Sequence, residues 1–200
     1  TRAAWNATGP VPRASEAKIE QRYQTAVAGV QAQADAIAER AGAAQANALR
    51  DKLRLVQSLE AALADGAAGA DAQAWNERWN ALPPLDTQYE RSLQQRFAAA
   101  QAALGEGSAA YVQQLQANQE RLLGEVLRLE IVAGVDSGAE FARDRLKMQV
   151  EVLQSSLKSG QKPLTQVSQL MQLCAIPAAT DARTASRIET LLRRIGGQAK

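Results

Sequence analysis

The chain contains an internal repeat with a period of 74 residues. Trp79 lies 74 residues after Trp5, and the two tryptophans begin similar segments, W-N-A-L-P-P-L and W-N-A-T-G-P-V. The same offset, without a gap, pairs Pro10 with Pro84, Glu16 with Glu90, Ile19 with Leu93, Arg22 with Arg96, and Tyr23 with Phe97. The match extends through Leu49, Leu53 and Leu55, so the repeat covers residues 5 to 133. A repeat of this length predicts a modular architecture in which each unit packs mainly on its neighbours.

The composition predicts that the units are helical. Hydrophobic residues make up 46% of the chain, but aromatic residues only 4%. Alanine, leucine and glutamine dominate, β-branched residues are few, and no segment alternates apolar and polar residues as a strand does. We therefore expect an all-α fold with closely packed seams of small residues.

Glycine and proline residues divide each copy of the repeat into predicted helices. In the first copy we expect helices at residues 15 to 40 and 44 to 64, with a turn at Gly42. In the second copy we expect a short helix at residues 71 to 82, followed by helices at residues 87 to 104 and 108 to 133. The spacing from Thr87 to Glu90 is that of a capping box. Matching apolar stripes predict antiparallel, coiled-coil-like hairpins.

The repeat stops matching after Gly134. A helix at residues 137 to 158 is expected to point Leu146, Val150, Leu153 and Leu157 inward. A short helix should end near Cys174, and a final helix, capped by Thr180 or Asp181, should bury Ile188, Leu191, Leu192 and Ile195. We interpret residues 1 to 70 and 71 to 134 as tandem helical hairpins, and residues 135 to 200 as a C-terminal helical cap.

The charge of the chain limits the classes of partner. The formal net charge is +2, which is too small to indicate a nucleic-acid or membrane partner for the whole chain. The local balance is +1 for residues 1 to 44, −3 for residues 45 to 135 and +4 for residues 136 to 200. An anionic partner should therefore prefer the C-terminal third.

Several features favour a cytoplasmic protein. The single cysteine, Cys174, lies in an apolar run and is expected to be a buried hydrophobic residue. No apolar run approaches the length of about 18 residues that a membrane span requires. The chain starts at Thr1 and has no signal-peptide pattern, so we expect a fragment of a longer cytoplasmic protein.

Common catalytic motifs are absent from the sequence. It contains no G-x-x-x-x-G-K-[ST] phosphate-binding loop, and one cysteine with no histidine excludes ordinary zinc sites and histidine-assisted serine nucleophiles. Glu120, Glu125 and Glu130 could in principle serve as acids, bases or magnesium ligands. We interpret them as a solvated helix face paired with Arg121 and Arg128. No cofactor, metal site or enzymatic activity is therefore predicted.

Two groups of residues remain as candidates for function. The tryptophans Trp5, Trp75 and Trp79 could stack on bases or on a ligand, but the repeat favours a structural role for them, and for Phe97, at repeat junctions. On the final helix, Arg183, Arg187 and Arg194 lie within about 40° of one another at 100° per residue. This row could be a solvated basic face, or it could contact phosphates or an acidic protein.

Two motifs resemble a known bacterial family. The segment that begins at Leu127, L-R-L-E-I-V-A-G-V-D-S-G-A-E-F, resembles the closing motif of proteins built from the domain of unknown function 349. The pair Trp75 and Trp79, followed by Arg96 and Phe97, is similar to that family's repeat. This chain has Gly138 where the family pattern has proline. Longer members are often labelled as similar to DNA repair ATPases, so the resemblance implies a helical repeat and a link to DNA repair.

These observations predict a non-enzymatic helical-repeat scaffold or protein-interaction module with an unidentified protein partner. The alternative is a nucleic-acid-associated protein that contacts the phosphate backbone through Arg183, Arg187 and Arg194. No membrane partner is expected.

Overall fold

The computed structural model describes residues 2–7, 13–66, 71–85, 87–104, 108–158 and 164–196. These residues form helices joined by turns, with no strand among them, so the predicted all-α class is confirmed. The helices are α1 (Arg2–Asn6), α2 (Arg13–Ala64), α3 (Ala72–Asn80), α4 (Thr87–Ala102), α5 (Ser108–Ala117), α6 (Gln119–Ala133), a 3-10 helix (Ala139–Phe141), α7 (Ala142–Lys158), α8 (Gln166–Cys174) and α9 (Ala182–Gly196).

The chain divides into two compact units, Thr1–Ala41 and Gly42–Lys200. In the first unit, α1 packs beside the first turns of α2, because the Trp5 and Tyr23 rings stack with their centroids 4.1 Å apart. The second unit contains the hydrophobic core, and its buried members among the described residues lie between Ala48 and Ile195.

Helix α2 is continuous for 52 residues, so the predicted turn at Gly42 is wrong. A glycine costs about 1 kcal/mol relative to alanine inside a helix, but Gly42 is flanked by alanines, which have the highest helix propensity. No antiparallel hairpin forms within residues 13 to 64, and the tandem-hairpin arrangement is not confirmed. The segments 1 to 70, 71 to 134 and 135 to 200 stay predictions.

The single helix predicted at residues 108 to 133 is interrupted at Asn118, between α5 and α6. The carbonyl of Leu115 accepts a hydrogen bond from the backbone N–H of Ala179 at 3.0 Å, and the Asn118 side chain donates to the carbonyl of Pro177 at 2.9 Å. The segment that precedes α9 therefore supplies hydrogen-bond partners for the Leu115 carbonyl and the Asn118 side chain at the interruption of the helix.

Side-chain caps begin several of the helices. Asp71 caps α3 by accepting from the N–H of Ala74 at 3.0 Å, and Thr165 caps α8 by accepting from Ser168 at 3.1 Å. Asp181, predicted as a cap, accepts from the N–H of Thr184 at 2.6 Å at the start of α9. This hydrogen bond holds the pKa of the Asp181 carboxyl below its usual value. Gly134 ends α6 in the left-handed conformation, with φ of 67°.

Helices α8 and α9 belong to the same core as α4 and α6. The residues predicted to be buried on α9, Ile188, Leu191, Leu192 and Ile195, are buried, and α8 adds Leu170, Leu173 and Cys174. Cys174 is a free, buried cysteine, as expected. Burial raises the pKa of its thiol to about 12, so the thiol is protonated and unreactive near neutral pH.

The predicted inward face of α7 is wrong. Leu146, Val150 and Leu153 are 65%, 47% and 63% exposed, and the side chain of Leu157 lies outside the described residues. These residues share one stripe of the helix, as the periodicity indicated, but α7 packs on α6 through other positions.

Candidate functional site

A buried polar cluster joins α2, α4, α5 and α8. The guanidinium of Arg96 donates two hydrogen bonds to the Glu60 carboxylate, at 2.8 and 2.6 Å, and a third to the carbonyl of Cys174 at 2.8 Å. The Tyr111 hydroxyl donates to the same carboxylate at 3.1 Å. Burial, reinforced by the charge of Glu60, raises the pKa of the Tyr111 hydroxyl. The four groups satisfy one another, so the cluster fixes how these helices pack.

A second set of contacts surrounds Trp79 at the junction of α2, α3 and α4. Its ring stacks on Phe97 with centroids 4.6 Å apart and an interplanar angle of 14°. The ammonium of Lys52 lies 4.3 Å from the Trp79 ring centroid and 2.5 Å from a carboxylate oxygen of Glu90. Because Trp79 is buried, its ring is not available to stack on a nucleic-acid base.

The other two tryptophans lie in similar but more open surroundings. Trp5 stacks on Tyr23 at an interplanar angle of 7°, and its indole N–H donates to Glu20 at 2.9 Å. Trp75 packs partly buried against the core, with the guanidinium of Arg78 4.5 Å from its ring centroid. The structure therefore brings Trp75, Trp79 and Phe97 together within the second unit, and Trp5 belongs to the first unit.

The predicted arginine row on α9 is largely engaged within the protein. Arg187 donates to the Glu130 carboxylate at 2.8 and 2.7 Å, and its side chain is only 11% exposed. Its guanidinium also lies 4.1 Å from the Phe141 ring centroid. Glu130 is buried, so its interpretation as part of a solvated face paired with Arg128 is wrong. Arg128 instead lies 3.8 Å from Glu125, in an exposed pair.

The remaining two arginines of the row are exposed. Arg183 forms an ion pair with Glu140, and Arg194 lies in the last turn of α9 beside Arg193. The row is therefore not a uniform surface, because its middle member neutralises a buried carboxylate and its first member faces an acidic residue.

A groove of about 340 Å³ lies beside the ion pair of Arg187 and Glu130, between α6 and α7. It is lined by Leu123, Gly124, Leu127, Phe141, Asp144, Lys147, Met148, Glu151 and Arg187. The lining combines an apolar floor on α6 with charged residues of both signs on α7.

The opposite side of α7 carries the exposed apolar stripe of Leu146, Val150 and Leu153, which we call the outer α7 face. These residues are spaced by four and three positions, so they lie within about 60° of one another on a helix. Two exposed basic residues, Arg143 and Lys147, flank the stripe on one side. Large apolar side chains grouped in this way on a surface are typical of protein-interaction sites.

The described part of the chain contains neither a candidate metal-binding cluster nor a candidate membrane span. It contains no group of three or more acidic, cysteine or histidine residues arranged to hold a metal ion. None of its helices combines the length and the apolar character needed to cross a membrane.

Comparison of the chain with models of protein families, with curated proteins and with solved structures found no match. The resemblance to the domain of unknown function 349 therefore stays a prediction, and the function must be inferred from the geometry.

Sequence reasoning missed the two buried carboxylates, Glu60 and Glu130. Glu130 was assigned to a solvated face with Arg128, two positions before it, although residues two apart do not face each other on a helix. A signal was nevertheless present, because each carboxylate lies within a turn of large apolar residues that are buried: Leu59 and Leu63 in α2, and Val126 and Leu129 in α6.

Proposed function

We propose that this chain is a non-enzymatic helical scaffold that binds a partner protein through the outer α7 face. The observation that carries the proposal is the exposure of Leu146, Val150 and Leu153 on one stripe of a helix. Each substantially exposed large apolar side chain leaves apolar area in water, and burial against a partner releases about 25 cal/mol for each square ångström covered.

Charge indicates the chemistry of the partner. Arg143 and Lys147 border the stripe, and residues 136 to 200 carry a net charge of +4. An amphipathic helix with an apolar stripe and acidic residues along one border complements both features. The basic border would contribute mainly to the rate and specificity of association.

The nucleic-acid alternative rests on the arginines of α9. Its support is weaker, because Arg187 is bound to Glu130 and Arg183 faces Glu140. Arg193 and Arg194 are the exposed cations at the end of α9 that could still reach a phosphate. Contact with a backbone through two charges would be weak and strongly dependent on salt.

Site-specific photocrosslinking in cells tests the proposal. A photoreactive residue at position 146 or 150 is expected to capture one discrete protein. The control is the same residue at Gln113, an exposed position on α5, which should not capture that protein. With the purified partner, Leu146→Glu combined with Leu153→Glu should weaken binding at least tenfold. Crosslinking that is the same at position 146 and at position 113 would contradict the proposal.

A fluorescence-anisotropy titration with single-stranded DNA, duplex DNA and RNA over a salt series tests the alternative. Arg193→Ala combined with Arg194→Ala removes two exposed cations at the end of α9 without leaving a buried carboxylate unpaired, as Arg187→Ala would. Binding near physiological salt that is lost in this variant, with a shallower salt slope, would favour the nucleic-acid function.

A further inference from the structure

The two copies of the 74-residue repeat adopt the same local arrangement. Trp5 stacks on Tyr23 as Trp79 stacks on Phe97, with centroid separations of 4.1 and 4.6 Å and interplanar angles of 7° and 14°. In each copy a short helix carries the tryptophan, and the third turn of a longer helix carries its aromatic partner. The sequence repeat is therefore also a repeat of local structure.

In the second copy, this arrangement is covered by the C-terminal half of α2. Lys52 lies over the Trp79 ring and binds Glu90, and Glu60, eight residues further along α2, binds Arg96 through two hydrogen bonds. Between these charges, Val56 and Leu59 are fully buried. The covering element is thus a helix with a lysine and a glutamate eight residues apart and apolar residues between them.

In the first copy, the corresponding residues are present and accessible. Glu16 and Arg22, the counterparts of Glu90 and Arg96, are both exposed. A pocket of about 290 Å³ is lined by Trp5, Ile19, Arg22 and Tyr23. Further along the same part of α2, Val30 is 70% exposed and Ile37 is 58% exposed.

We infer that the Trp5–Tyr23 face binds an amphipathic helix with the surface chemistry of residues 45 to 64, namely a lysine, a glutamate eight residues later and apolar residues between them. The lysine is placed to contact Trp5 and Glu16, and the glutamate to pair with Arg22. This inference rests on the proposed role as an interaction scaffold, but it names a different surface and the chemistry of its partner.

Two alternatives compete with this assignment. A generic apolar patch would accept an amphipathic helix whatever the position of its charges. A peptide could instead displace α2 from α4, where the same contacts already exist. Charge reversal at position 22 separates these cases, because Arg22 belongs to the first copy alone.

The probe is a fluorescein-labelled peptide with the sequence of residues 45 to 64, with a lactam staple joining positions 54 and 58. These positions are exposed in α2, so the staple lies on the face opposite Val56 and Leu59. Titration of the full chain is expected to give saturable binding by anisotropy. A peptide of scrambled sequence, stapled at the same positions, should bind at least tenfold more weakly.

Variants of the full chain then test the contacts. Arg22→Glu should weaken binding of the peptide at least tenfold, and a peptide with arginine in place of Glu60 should recover most of that loss. Arg91→Glu, an exposed reversal on α4, is the matched control and should change binding less than twofold. Leu146→Glu on the outer α7 face should also leave peptide binding unchanged. The two proposed binding surfaces are therefore tested independently of each other. Absence of binding, or equal binding by wild type and Arg22→Glu, would overturn the inference.

Discussion

The side chain of Arg96 links three helices of the second unit. It binds Glu60 of α2 and the carbonyl of Cys174 at the end of α8, and it extends from α4. Both charged side chains are almost completely buried. A buried charge that loses its partner cannot be solvated by water. Removing one member of the pair therefore destabilises the fold much more than the intact pair stabilises it.

We expect Arg96→Ala to lower the free energy of unfolding by about 3–5 kcal/mol, because Glu60 would stay buried without its partner. Urea denaturation followed by circular dichroism measures this change. Arg128→Ala, in the exposed pair with Glu125, is the control and should cost less than about 1 kcal/mol. A small effect of Arg96→Ala would mean that water reaches the cluster.

Alkaline pH should destabilise the folded state through Cys174. Its folded-state pKa is raised by burial to about 12, whereas an unfolded cysteine titrates near pH ~8.5. Above that pH the unfolded chain releases a proton that the folded chain retains, so stability falls as pH rises, by at most about 1.4 kcal/mol per pH unit. The raised pKa of Tyr111 acts in the same direction at higher pH.

Urea midpoints at pH 7.5, 8.5 and 9.5 measure this dependence. Cys174→Ala removes the thiol, and its midpoint should decline less over this range than that of the wild type. Parallel declines in the two proteins would contradict a role for the buried thiol.

At the residue scale, the sequence identified side chains whose environment follows from their own chemistry. Cys174 and the apolar positions of α9 were predicted correctly because apolar groups gain from burial in any context. The burial of Glu60 and Glu130 was not predicted, because it depends on an arginine that is distant in the sequence, Arg96 or Arg187.

Among the helices, α2 differs most from the prediction, because it is continuous where the sequence predicted two helices. The glycine at position 42 suggested a turn, but a lone glycine among alanines is tolerated inside a helix. Gly66, at the end of α2, has a φ of 67°. The two glycines therefore provide a test of where the helix ends.

Gly42→Ala should raise the free energy of unfolding by about 0.5–1 kcal/mol, because alanine is the better helix former and an added Cβ meets no atom within 4 Å. Gly66→Ala should destabilise the protein, because alanine disfavours a positive φ. Thermal and urea unfolding of the two variants measure both effects. Destabilisation by Gly42→Ala would indicate that the chain turns there.

The outer α7 face should contribute little to the stability of the isolated chain. Leu146→Ala is expected to change the free energy of unfolding by less than about 0.5 kcal/mol, as for other exposed positions. Ile188→Ala on α9, which is buried in the core, should cost about 2–5 kcal/mol. A large loss of stability in the Leu146 variant, measured by urea denaturation, would show that the residue packs within the protein.

At the element scale, the sequence predicted the existence of most helices and many of their ends. It could not predict which side of α7 meets the rest of the protein. Apolar periodicity indicates that a helix has an apolar stripe. The periodicity is the same whether the stripe packs within the chain or stays exposed on its surface. The interruption at Asn118 was missed for a similar reason, because its cause is the distant segment around Pro177.

The distribution of buried residues makes the two units unequal at the scale of the whole molecule. All members of the hydrophobic core among the described residues lie between Ala48 and Ile195, and residues 15 to 41 of α2 contribute none of them. The repeat predicted two equivalent copies, but the copies differ in what covers them. Sequence similarity shows which residues a surface has, but it does not show whether another helix covers that surface.

A chain that begins at Gly42 should therefore keep its core. We expect it to unfold in urea as cooperatively as the full chain, with a similar midpoint, and to retain the near-ultraviolet circular dichroism of the stacked Trp79. The 200-residue chain carrying Trp5→Phe provides a comparison in which only the first aromatic pair changes. Loss of a cooperative transition on truncation would show that residues 1 to 41 are needed for the core to form.

The contacts between Glu60 and Arg96 also bear on how such a protein can change during evolution. A substitution at either position alone strands a buried charge, whereas replacing both with apolar residues of similar volume can be nearly neutral. Because substitutions arise singly, every path to the apolar alternative passes through a poorly folded intermediate. The pair would then persist through lack of an accessible route away from it, whether or not it is the most stable solution.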